Sequence, residues 1–378
     1  RRALAAGGLT LAFVVALVID ESRSGSPVVP LPGGHLGSDT GFFLTLFAAA
    51  FAVYLVGLAL VRRGARFTHV FILACAIQLA PLAGPVFLSS DAWTYWGYAR
   101  VHDPYTNTPS DDRVAARYAG TKYLHDTSVY GPAFSLVSRP VGLTSSASFA
   151  AWLFRAGAAL CVLATTWLVA RRRAFAAALV GWNPLVAMHF AGGGHNDALM
   201  MALVAAALAL GERKRVQAAG VAWALAVLVK WVPLLLLPLR ALEARATGRR
   251  VGHLGFAVTV VATLGLATVL WQLNWLHAVA PLTHDAQNQT HYALPHRFGV
   301  PAWTFLVAYG VAYVWLLREA ARGRARLGLA FALLLLALPY LIGWYVIWPL
   351  ALAAWDDDDT ATLLSLGLCA YLLPQRLT

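Results

Sequence analysis

The chain has 378 residues, of which 60% are hydrophobic and 12% charged, with mean hydropathy +0.65. Soluble domains are about 45–50% apolar and about 25% charged, so this balance excludes a water-soluble enzyme and describes a polytopic membrane protein. The net charge of +12 would suit a nucleic-acid partner, but 19 of the 29 basic residues sit in six short breaks between apolar runs, so the charge reports topology and no nucleic acid is expected.

A helix needs about 20 mostly apolar residues to cross the hydrocarbon core. Such runs occur at Ala3 to Ile19, Gly41 to Val61, Phe67 to Leu88, Ala147 to Ala170 and onward. The first follows Arg1 and Arg2, as a signal sequence would, but no small-residue cleavage site follows at Ile19 and Asp20, so a retained helix is expected. Without an initiator Met, the numbered chain is expected to begin inside a longer gene product. Cys75, Cys161 and Cys369 each fall in an apolar run, where a thiol acts as a small apolar group, and no disulfide framework is implied.

The basic breaks are Arg1 and Arg2; Arg62, Arg63 and Arg66; Arg171 to Arg173; Arg213 to Arg215; Arg240 to Arg250; and Arg318 to Arg326. All fall on one side, the cytoplasm, if Val216 to Leu239 enters and returns as two short helices broken after Lys230 at Pro233 and Pro238. The expected fold is therefore all-α: a polytopic transmembrane helical bundle of about eleven to thirteen spans. It forms one membrane domain, with two N-terminal spans in 1–66, a core in 67–355 and a C-terminal span in 356–378. The outer face receives Asp20 to Asp39, a large loop Ser89 to Ser146 with juxtamembrane helices, the turn Gly192 to Asn196, and the loop Asn274 to Pro301.

Five outer features are candidates for chemistry. In "SSDAWTYWGYARVHDPYTNTP", Trp93, Tyr95, Trp96 and Tyr98 recur every few residues, which predicts a short helix along the interface. As aromatics they are mostly architecture. Asp91, an ionisable group at the mouth of a span, invites a functional reading. In "WNPLVAMHFAGGGHNDALM", three glycines permit close backbone approach, and Asn196 or Asp197 either caps the next helix or joins His195 in holding a polar headgroup. Lys230, inside "VLVKWVPLLLLPL", is costly in lipid unless it faces a partner, and as a compact cation it suits a phosphate. His277, His284 and His291 recur every seven residues, but Pro281 interrupts the segment and no carboxylate pattern accompanies them, so no metal site is expected. "GWYVIWPL" adds an aromatic patch containing Trp344 and Tyr345.

In that order, "SSDAWTYWGYARVHDPYT", "SVYGPAF", "WNPL", "GGGHNDALM", "VKWVPLLLLPL" and "WYVIWPL" resemble the GT-C superfamily of integral-membrane glycosyltransferases. Within it the chain is similar to the polyprenyl-phosphate-mannose-dependent mannosyltransferases of bacterial envelopes, and more distantly to the mannosyltransferase of GPI-anchor synthesis. The likeness runs from about Phe67 to Leu350. The resemblance implies Asp91 as the catalytic or acceptor-binding carboxylate and Lys230 as the lysine of the family's lysine, aromatic, proline pattern. It implies transfer of a sugar, mannose by likeness, from a polyprenyl-phosphate donor to a glycan or glycolipid acceptor, with inversion, on the extracytoplasmic face of a bacterial plasma membrane. Lys230, with His195, His284 or Arg297, would meet the donor phosphate. Tyr95, Tyr98, Arg100, Tyr130, Asn196, Asp197, Asp285, Trp344 and Tyr345 would contact substrate. No cofactor and no metal is expected. Many superfamily members pair two acids at the first loop, whereas two serines precede Asp91 here; Asp103 or Asp197 is the candidate second acid. A transporter or flippase of lipid-linked sugars is the alternative, but such proteins repeat their broken helices in both halves, and the large loop and the Lys230 break each occur once.

Overall fold

A computed structural model describes residues 1–24, 40–279 and 289–375, so His284 and Asp285 lie outside the described residues. Among the described residues every regular element is helical. The α-helices in chain order are α1 (Arg2–Ser24), α2 (Thr40–Val61), α3 (Phe67–Leu79), α4 (Asp91–Arg100), α5 (Pro132–Ser138), α6 (Ala147–Ala170), α7 (Ala174–Gly181), α8 (Pro184–Gly193) and α9 (Asp197–Glu212). They continue with α10 (Val216–Val229), α11 (Leu237–Ala246), α12 (His253–Trp271), α13 (Leu294–Arg297), α14 (Ala302–Ala321), α15 (Leu327–Ala337), α16 (Ile347–Asp356) and α17 (Asp359–Leu372). Among the described residues, four helices are long and apolar enough to span a membrane: Arg2–Ser22, Thr40–Val61, Ala147–Ala170 and His253–Trp271. The pair α7 and α8, bent by 51°, makes a fifth if taken as one span, and Phe67–Ala83, Val216–Val229, Leu327–Ala337 and Asp359–Leu372 are shorter apolar helices.

The chain forms two compact units, Arg1–Ser128 with Ser135–Leu199 and Leu373–Thr378, and Val129–Phe134 with Met200–Leu372. In the first, the "WNPL" segment makes the corner between α7 and α8. Trp182 is fully buried among α1, α2 and α3, with its indole N–H donating to the Val70 carbonyl at 2.9 Å. Gly7 makes room for it, since a Cβ there would lie 2.8 Å from the indole ring. Asn183 caps α8 by accepting from the N–H groups of Leu185 (3.0 Å) and Val186 (3.3 Å), and Pro184 occupies the first turn, where its missing N–H costs nothing.

In the second unit, α10 and α12 approach backbone to backbone, because a Cβ on Gly220 would lie 2.0 Å from the Gly252 carbonyl oxygen. The expected break after Lys230 is present: α10 ends at Val229, Lys230 is extended (φ −154°, ψ 134°), and a 3-10 turn over Val232–Leu236 leads into α11. The outward faces of α12 and α14 are apolar, with Val261, Val269, Trp303 and Val311 exposed, as a lipid-facing surface requires.

Candidate active site

In the first unit the site is built at the start of α4. Leu88 adopts a left-handed backbone (φ +63°), a conformation that costs a non-glycine residue about 1–2 kcal/mol. This turn brings Ser89 beneath the helix, where its Oγ accepts from the Asp91 N–H at 3.1 Å. Asp91 thus begins α4, where the positive end of the helix dipole favours a carboxylate. Its Oδ2 lies 3.0 Å from His195 Nδ1 and accepts from the Tyr95 hydroxyl at 3.3 Å. Asp91 is 6% exposed and His195 fully buried, so the pair is largely removed from water. The Asp91, Tyr95 and His195 positions singled out from sequence are therefore joined.

The glycine run explains how His195 arrives there. It ends α8 rather than opening α9. Gly194 closes the helix in the left-handed region (φ +79°), the usual glycine stop. A Cβ on Gly192 would strike the Phe87 ring at 2.2 Å, and one on Gly193 would lie 2.9 Å from His195 Nε2. Each glycine removes a side chain so that α8 can close against the Phe87 to Ser89 turn. Asn196 is 4% exposed and neither polar atom of its side-chain amide has a hydrogen-bond partner among the described residues, so it does not cap α9 through its side chain. Asp197 is fully buried in the first turn of α9.

Arg155 holds this arrangement from α6. It is 4% exposed, and its guanidinium donates to the carbonyls of Ala191 (2.6 Å), Gly84 (2.9 Å) and Pro81. These carbonyls belong to the two segments that lead to His195 and to Asp91. Sequence reasoning missed Arg155, although a lone arginine in the apolar run Ala147 to Ala170 was a signal. It also missed His189, whose ring centroid lies 6.0 Å from that of His195.

The aromatic helix forms as expected, and its aromatic side chains meet protein rather than an open surface. Asp91 to Ala99 are all buried, because the rest of the large loop folds over α4. Trp93 and Trp96 pack with Ala115, Ala147, Ala150 and Ala151, and the Trp93 indole donates to the Ala147 carbonyl at 3.1 Å. Tyr98 donates to the carbonyls of Asp126 (3.1 Å) and Thr127 (3.4 Å). Burial first, then the charges of Asp126 and Asp91, push its phenol above the ordinary tyrosine range, so it stays neutral. Arg100 donates to Asp112 (2.9 Å) and to the carbonyls of Thr144 (3.1 Å) and Gly142 (3.4 Å), bracing the loop. Burial acts to raise the Asp112 carboxyl, but hydrogen bonds from Ala115, Arg100 and Val114 outweigh it and hold the group below the ordinary range. Asp103 accepts from the Tyr105 N–H at 2.9 Å, a turn-forming role.

The second unit gathers the other motifs. Lys230 Nζ sits over the rings of Tyr345 (4.6 Å) and Trp348 (5.2 Å), which stack on each other at 4.1 Å. Trp344 packs edge-on against Tyr345. Tyr130 precedes Gly131, whose N–H donates to the Val229 carbonyl at 3.1 Å, and a Cβ on Gly131 would lie 2.0 Å from the Leu228 carbonyl oxygen. The "VYGP" and "VKW" segments therefore meet on a backbone contact only glycine permits. Trp348 was not among the expected residues; its spacing of three from Tyr345 was the available signal. Arg297 is exposed and lies over Tyr292 at 5.1 Å.

Residues 3–245 match the family described as Alpha-(1->6)-mannopyranosyltransferase, N-terminal domain, and residues 129–373 match Glycosyltransferase family 87. The chain is 29% identical over 329 residues to Alpha-(1->6)-mannopyranosyltransferase A of Mycobacterium tuberculosis (strain ATCC 25618 / H37Rv), which covers 74% of this chain. It spans 63% of the length of that relative. No solved structure matches the chain significantly. On these matches and its apolar helices, this membrane chain belongs to Glycosyltransferase family 87 and to the Alpha-(1->6)-mannopyranosyltransferase N-terminal domain family.

Proposed function

We propose that the chain transfers mannose from a polyprenyl-phosphate donor to a glycan or glycolipid acceptor on the extracytoplasmic face of a bacterial plasma membrane, with inversion at the anomeric carbon. The observation that carries this reading is the buried Asp91 and His195 pair at 3.0 Å, at the head of α4. A carboxylate oriented by a histidine and a tyrosine is equipped to accept a proton from an acceptor hydroxyl. As the acceptor oxygen bonds to the anomeric carbon, the bond from that carbon to the phosphate oxygen breaks, and its electron pair leaves with the lipid phosphate. Lys230 is the cation we assign to that phosphate on chemical grounds, a compact charge backed by two aromatic faces. His195 is assigned to orienting Asp91. Asn196 and Asp197 are assigned to sugar hydroxyls, and Tyr130, Trp344 and Tyr345 to sugar faces or the prenyl chain. Transfer is expected to proceed without a metal, the lysine supplying the positive charge.

The test gives the purified chain a panel of polyprenyl-phosphate sugars and nucleotide sugars with candidate glycan acceptors, with and without a chelator, beside Asp91→Asn. Transfer from the mannosyl donor, giving the inverted linkage and insensitive to the chelator, supports the reading. Transfer only from a nucleotide sugar, or full transfer by Asp91→Asn, overturns the donor and the base assignment respectively.

A further inference from the structure

At the arginine-rich end of the second unit, a cavity of 220 Å³ opens between α9, α10, α11 and α12. Its walls include Ala207, Gly220, Trp223 and Phe256, and three polar groups, Arg240, Arg250 and His253, border it. The cavity exists because the turns on either side of the Lys230 break return to one place. Val216 from the start of α10 and Leu237 from α11 both line it, and Gln217 accepts from the Gly255 N–H at 2.8 Å across the same seam. Gly220 and Gly252 set the narrow approach behind it. Arg240 pairs with Glu243, so its charge is partly compensated within the chain. Arg250 is exposed and has neither hydrogen bond nor ion pair among the described residues.

A free anion gains from the arginines but nothing from the apolar walls, and a neutral lipid gains from the walls alone. A ligand with one uncompensated phosphate and an attached acyl chain uses both. We infer that this cavity binds an anionic glycerophospholipid, its phosphate on Arg250 with His253 and Arg240, and an acyl chain against the Ala207, Gly220, Trp223 and Phe256 wall. The lining shares no residue with those assigned to transfer, and its test does not depend on that assignment.

The experiment is native mass spectrometry of the purified full chain released from detergent with equimolar phosphatidylglycerol, phosphatidylcholine and a polyprenyl phosphate, with and without millimolar inorganic phosphate. Phosphatidylglycerol retention about tenfold above phosphatidylcholine is expected for a charge-assisted phosphate contact. Arg250→Gln should bring the two lipids to near equality, while Arg249→Gln, one residue outside the lining, should leave the preference intact. Both arginines are exposed, so neither substitution disturbs packing. Equal retention of the two lipids, equal loss in both variants, displacement by millimolar inorganic phosphate, or tighter retention of a polyprenyl phosphate would each overturn the proposal.

Discussion

Asp91 gains its character from what surrounds it rather than from its loop. The Leu88 turn, the Ser89 hydroxyl and the start of α4 fix its backbone, and His195 and Tyr95 fix its carboxylate. Asp91→Asn keeps the shape and removes the basicity, so kcat should fall by about 10²–10⁴ with substrate KM values little changed, the range for loss of a general base. Steady-state kinetics read this directly; a large rise in KM at constant kcat would make Asp91 a binding group instead. Arg155 acts one layer behind, as a positioning residue. Arg155→Met would remove three hydrogen bonds from a charged donor, two of them buried, each worth about 1.5–3 kcal/mol, so thermal stability in detergent should drop clearly and kcat with it. Arg155→Lys keeps one donor group and should recover part of the stability but little of kcat, a split that a purely structural role would not produce.

Among the elements, the junction from α8 to α9 requires glycine. Gly194 at φ +79° is the position where alanine costs about 1–2 kcal/mol, and Gly194→Ala should lower the melting temperature while leaving α8 itself formed. Circular dichroism melts check this, with the neighbouring Ala191 backbone contact to Arg155 as the part most disturbed. The large loop has its own acid sensitivity through the Arg100 and Asp112 pair. Because the folded Asp112 carboxyl is held below its ordinary value, its contribution is present above about pH 4, near the unfolded carboxylate value, and is lost as pH falls through the folded one. The stability difference between wild type and Asp112→Asn should be constant from pH 8 to about 5 and shrink below about 4. Limited proteolysis of the loop across that range measures it; a difference that grows toward low pH would assign the pair the wrong sign.

For the whole molecule, the open quantity is sidedness. From the charge of its breaks, Arg171 to Arg173 are expected inside and the large loop outside. Ser145→Cys should therefore react with a membrane-impermeant maleimide on right-side-out vesicles, and Arg172→Cys should react only after permeabilisation. Both positions are exposed, whereas the native Cys369 is buried and serves as a silent control. Labelling of Arg172→Cys in intact vesicles with Ser145→Cys protected would invert the topology and move Asp91 to the cytoplasmic side.

Hydrophobicity and punctuation determined a good deal without any coordinates. Apolar runs, prolines and basic breaks are local properties, so the all-helical membrane class and the break after Lys230 were legible in the chain itself. The motif that carries Asp91 was legible for a similar reason, since an ionisable group beside a span is anomalous wherever it occurs. The sequence could not say which anomalies meet. His195 is 104 residues from Asp91, and the two pair only because α8 closes against the Phe87 turn and Arg155 ties both segments together. Lys230 finds Tyr345 and Trp348 across more than a hundred residues in the same way. What the aromatics of α4 pack against was not legible, because amphipathic aromatics suit a bilayer surface and a folded loop equally well. Only the residues packed over α4, from Ala115 to Tyr118, decide between them, and that is a matter of tertiary contact rather than of local spacing.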